Sequence, residues 1–100
     1  MTNTEFDKIT ETMLDECKQV LQVKSIEYAP VSNRLISFKR AGAFLGVNSK
    51  VALLGMLTKH LVSIYTLCEA DDYIPREKIV DSINYLILLE AINIEECGNE

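Results

Sequence analysis

The sequence predicts an all-α protein, a compact antiparallel bundle of about four helices, and three observations carry that expectation. Apolar residues recur at steps of three and four through most of the chain, with little of the alternation that marks strands. Four Gly and two Pro leave few places for turns. The stretch from Lys50 to Ala70 is long, nearly uncharged and apolar on two faces. Leu54, Leu57, Leu61, Ile64 and Cys68 form one stripe, and Leu53, Met56, His60 and Leu67 form another about 100° round the helix. A helix apolar on two sides must be covered on two sides. It is therefore expected at the centre, with neighbours from the rest of the chain or from a second copy.

Taken in order, Thr2-Asn3-Thr4-Glu5 has the Thr-x-x-Glu pattern of a capping box. Phe6, Ile9, Met13, Cys17 and Val20 then repeat at helical spacing, which predicts a first helix over about 3–25. Pro30 ends or kinks what precedes it. Ser32 or Asn33 can cap a second, shorter helix over about 33–45, striped by Leu35, Phe38, Ala41 and Leu45 and stopped by Gly46. Asn48 or Ser49 opens the central helix, about 49–69, after a turn so short that its neighbour must run antiparallel. Asp71-Asp72 breaks the pattern, and Pro75 suits the first turn of a last helix, about 75–94, whose main stripe is Val80, Ile83, Ile87, Ala91 and Ile94. Residues 95–100 read as a frayed tail. The whole is one helical domain, 1–100, and the surplus apolar surface on its last two long helices favours a homodimer.

Composition narrows the function. A net charge of −5 argues against general binding to nucleic-acid backbones, which takes clustered Lys and Arg. The apolar run Ile83 to Ile94 is too short and too polar to span a bilayer, and the N-terminus lacks the regions of a signal peptide, so no membrane role and a cytoplasmic location are expected. Cys17, Cys68 and Cys97 are odd in number and far apart, with a single His in the chain, which fits reduced thiols better than a zinc site or a disulfide framework. No Gly-rich phosphate loop is present. What remains is a set of polar residues on apolar helices: Glu27, Tyr28, Asn33, Lys59, His60, Asp81, Asn84 and Tyr85. Each also has a plain structural reading, Lys59 as a snorkelling surface lysine and His60 as a satisfied, half-buried histidine. Together they matter more, because bundles build ligand sites from side chains on facing helices.

Lys24-x-x-Glu27-Tyr28-Ala29, the segment Asn33 to Phe38, Lys59 in a leucine-rich helix, and Asp81-x-x-Asn84-Tyr85 in a final apolar helix resemble the layout of small phage-encoded all-α proteins of the MazG-like and nucleotide-modification-associated groups. The resemblance covers about Lys24 to Glu90. It implies a dimeric bundle in the cytoplasm of a host cell that handles nucleotides or nucleotide-derived phosphates. Glu27 and Asp81 would be the acidic positions, Lys59 a phosphate contact, and Tyr28 or Tyr85 a stacking or hydrogen-bonding partner. One departure stands out. MazG-type pyrophosphohydrolases hold magnesium with Glu-x-x-Glu and Glu-x-x-Asp pairs on two helices, since carboxylates one turn apart can face the same ions. This chain has no Glu-x-x-Glu, and its one Glu-x-x-Asp, Glu69 and Asp72, falls where a helix should end. Glu77 and Asp81 are the residues left to hold magnesium, with Glu27 beside them. Two readings follow: a binder or sequesterer of a nucleotide-like ligand with an incomplete hydrolytic site, or a non-enzymatic protein that docks onto a partner, for example a host defence or replication protein, through exposed apolar helix surface.

Overall fold

Four helices and no strand make up the residues that the computed structural model describes, 1–27 and 34–98, the side chains of 25–27 aside: α1 (Asn3–Glu27), α2 (Ile36–Leu45), α3 (Ser49–Glu69) and α4 (Arg76–Cys97). The ends follow from local chemistry. Thr2 Oγ1 accepts from the Glu5 N–H at 3.1 Å while the Glu5 carboxylate accepts from the Thr2 N–H at 2.9 Å, the reciprocal capping box written in the sequence. Asn48 Oδ1 accepts from the Val51 N–H at 2.9 Å and opens α3. Between them, α2 starts behind Leu35 without a side-chain cap; Ser32 and Asn33 lie outside the described residues. It stops at Gly46, whose φ of 74° is left-handed. Gly42 makes the turn tight enough, since a Cβ there would stand 2.7 Å from the Val47 carbonyl oxygen.

Close backbone packing joins α2 to α3, α3 to α4 and α4 to α1. The first pair is a hairpin across Gly46, Val47 and Asn48. The second is antiparallel, pinned at one end by a hydrogen bond from the Ser49 hydroxyl to Glu96 and at the other by Lys78 Nζ donating to Ser63 Oγ at 2.8 Å. The core sits where these three helices meet. Leu35, Phe38, Leu53 and Ile92 are buried together, with Met56, Tyr85, Leu88, Leu89 and Ala91 packed around them. α1 is different: among the described helices its backbone approaches α4 alone, by way of buried Cys17, and its first two turns carry exposed Phe6 and Ile9. A 25-residue helix is about 37 Å long. The chain accordingly measures 44 × 28 × 27 Å, with a radius of gyration of 15.6 Å, above the roughly 13 Å typical of 100 residues.

The helices turn inward only in part as the sequence leads one to expect: the second α3 stripe, Leu53, Met56, His60 and Leu67, is covered, and the first is covered only at Leu57 and Ile64. On α3 the covered stripe is Ser49, Ala52, Leu53 and Leu57, continued by half-buried Met56, His60, Ile64 and Leu67. Leu54 and Leu61, expected inside, are 46% and 50% exposed, and Cys68 is exposed too. The reason is that α3 is apolar nearly all round, so periodicity identifies a helix without saying which face turns inward. On α4 the buried line is Val80, Asn84 and Ile92, with Leu88 half-buried. Ile87 and Ile94, expected on the main stripe, are 44% and 38% exposed.

α3 also has the length and composition to cross a membrane, with a mean hydropathy of 1.5, and only 17% of that apolar window is buried within the chain. Lys59 stands at its middle and is exposed.

Candidate functional site

Because α1 packs on α4 and keeps its backbone away from α2 and α3, the helices leave a space between them. This is a cavity of about 310 Å³. Val20, Leu21 and Lys24 of α1 form one wall; Arg34, Ser37 and Phe38, at and just before α2, form a second; Met56 and His60 of α3 and Asp81, Asn84, Tyr85 and Leu88 of α4 complete it. The α4 set recurs at three and four residues, so one face of one helix delivers an acid, an amide, a phenol and a leucine.

The lining divides by chemistry. Phe38, Tyr85 and His60 make an aromatic group, with Tyr85 edge-on to Phe38 at 6.5 Å between ring centroids and tilted against His60 at 5.0 Å. Lys24 and Arg34 bring two cations against the one carboxylate of Asp81. Arg34 is held in place by donating from Nη2 to the Leu21 carbonyl at 2.9 Å, which uses one of its five donors. Neither Lys24 nor Asp81 is in an ion pair among the described residues.

Asn84 is the most constrained residue of the site. It is 5% exposed, and its Nδ2 donates to the Cys17 carbonyl on α1 at 3.2 Å. A carbonyl can only accept, so this bond settles which end of the amide faces α1. The other end, Oδ1, is buried with no hydrogen-bond partner among the described residues. Such an orphan costs about 1–3 kcal/mol. Just behind it, burial pushes the Cys17 thiol up from its ordinary pKa, and the neighbouring Glu16 carboxylate acts in the same direction.

Of the residues singled out in the sequence, the cavity brings together His60, Asp81, Asn84 and Tyr85. Lys59 is exposed on α3 and takes no part in it. Glu77 is exposed in the first turn of α4, outside the cavity, and among the described residues no group of three His, Cys, Asp or Glu side chains could hold a metal ion. Tyr28 and Asn33, like the side chain of Glu27, lie outside the described residues. The cavity also takes in Lys24 and Arg34, which are not among the polar residues singled out in the sequence. Lys24 opens the Lys-x-x-Glu-Tyr-Ala motif, and Arg34 stands with Lys39 and Arg40 in a short basic stretch, so both carried a signal in the sequence.

Comparison of the chain with protein-family models, with curated proteins and with solved structures gives no match.

Proposed function

We propose that this chain binds a small anionic ligand with a planar ring, a nucleotide or a nucleotide-derived phosphate, in the cavity between α1 and the other three helices. One observation carries the reading: two cations and three aromatic rings line a single cavity of about 310 Å³. That volume is at the lower end of the roughly 300–1,000 Å³ common for small-molecule sites, which suits one nucleotide better than a dinucleotide. In this reading Lys24 and Arg34 meet the phosphate, in place of Lys59, and Tyr85 with His60 offers the ring a stacking surface. Lys24, Asp81, Asn84 and Tyr85 belong to the motifs that resemble MazG-like proteins, which supports the same ligand class. The proposal is for binding and sequestration. Turnover with magnesium at Glu77 and Asp81 is not part of it.

A thermal-shift screen with nucleoside mono-, di- and triphosphates tests this, because a ligand that binds only the folded form raises the melting temperature by mass action. A rise that disappears in the Lys24→Gln, Arg34→Gln double variant is expected. No rise with any nucleotide would contradict the reading.

A second reading has its own observation. Val51, Leu54, Leu61, Val62 and Tyr65 are each 46–62% exposed and recur at three and four residues along the outside of α3. Gly55 in their midst has nothing within 4 Å of where a Cβ would stand. Lys59 borders this face, and a lysine at mid-bilayer costs about 2.5–3.5 kcal/mol, which favours protein over lipid as the cover. We propose a second copy of the chain as the occupant. In the alternative function, a different protein partner takes that place.

A further inference from the structure

Resting on the second reading above, in which another copy of the chain covers the outside of α3, we infer that the covering element is the N-terminal arm of the partner's α1, exchanged reciprocally between two copies. Every residue from Asn3 to Thr12 is exposed, although Phe6 and Ile9 continue at helical spacing the stripe that is half-buried at Met13 and buried at Cys17. Among the described residues, the hydrogen bonds and ion pairs that tie α1 to the rest of the chain all fall in its second half, at Glu16, Cys17 and Leu21. A few turns of helix without cover are marginal in water. The arm therefore needs a partner as much as the α3 face does.

Length and charge match the arm to that face. Residues 3–15 and the face from Val51 to Tyr65 are each about 20 Å long as helix. The arm carries Glu5, Asp7, Glu11 and Asp15 against one cation, Lys8, whereas α3 from Ser49 to Cys68 holds Lys50 and Lys59 and no acid. At about 100° per residue, Lys50 and Lys59 fall on opposite flanks of the exposed apolar face. An arm laid along it meets opposite charge on both sides. Arm against arm would set acids against acids, and α3 against α3 would bring lysines together, and like charges across an interface disfavour both. Each copy has one arm and one face, so a two-fold pair covers all four.

Sedimentation of the full chain and of two variants tests the exchange. Phe6→Asp spoils the arm and Tyr65→Asp the face, at residues 59% and 62% exposed, so both are expected to keep their helical content in circular dichroism. The unaltered chain is expected to dimerise, and each variant alone to do so about tenfold or more weakly, since an aromatic anchor is replaced by a charge. Mixed in equal amounts, the two variants are expected to associate again, because one intact arm still meets one intact face. A Phe6→Asp chain that dimerises as tightly as the unaltered one, or a mixture that associates no better than its parts, would overturn the exchange; with Tyr65→Asp still dissociating, the second-copy reading would stand. An unaltered chain that stays monomeric, or a Tyr65→Asp chain that stays dimeric, would overturn that reading along with the exchange.

Discussion

Leu53 and Leu61 lie two turns apart on α3 and show how much depends on orientation. Leu53 is fully buried among Leu35, Phe38 and Ile92, so Leu53→Ala is expected to cost about 2–5 kcal/mol through lost burial and the cavity left behind. Leu61 is 50% exposed, and Leu61→Ala is expected to cost under about 1 kcal/mol. Urea denaturation of the two variants checks the assignment, and equal losses would place the inner face elsewhere. The cysteines separate in the same way. Cys68 and Cys97 are exposed and should be alkylated in the native protein, while Cys17 reacts only on unfolding. A thiol whose folded pKa lies above its unfolded one adds stability that is complete below the unfolded pKa and is lost as pH rises through the folded one. Stability should therefore fall in alkaline solution, by less in Cys17→Ala, as pH-dependent melting would show.

At the scale of the elements, two glycines give opposite expectations. Gly42→Ala pushes a Cβ to 2.7 Å from the Val47 carbonyl and should destabilise the α2–α3 turn, whereas Gly55→Ala meets nothing within 4 Å and should stabilise α3 by about 0.5–1 kcal/mol. Asn48→Ala removes the α3 cap and is expected to cost about 1 kcal/mol. Melting temperatures of the three variants should rank accordingly. These ends were legible in the sequence because caps and stops are local: Thr2 with Glu5, Gly46 and Asn48 act within a few residues of themselves. The inward face of α3 was not, because Leu54 and Leu57 are equally apolar and only the position of α2 and α4 decides between them. The candidate site was legible in part for the same reason. Asp81, Asn84 and Tyr85 stood out as polar residues on an apolar helix, while the meeting of Lys24 and Arg34 at one cavity depends on α1 standing off from α3, which no spacing within the chain encodes.

The whole molecule is open. Its core is small, α1 packs closely on α4 alone among the described helices, and the outside of α3 is apolar, so two needs remain after folding: something for the cavity and something for the outer face. Pairing of two chains across Val51, Leu54, Leu61, Val62 and Tyr65 would answer the second. Tyr65→Asp, at a residue 62% exposed, is then expected to give a monomer in sedimentation with its helical content intact. The first need is the central claim. The most direct measurement is a nuclear magnetic resonance titration of the labelled protein with GMP. The account predicts that the signals which move belong to the cavity, those of Arg34, His60, Asn84 and Tyr85 foremost, while those of Val51 and Leu54 on the outer face stay in place. Spectra that do not change, or that change along the outside of α3 alone, would contradict it.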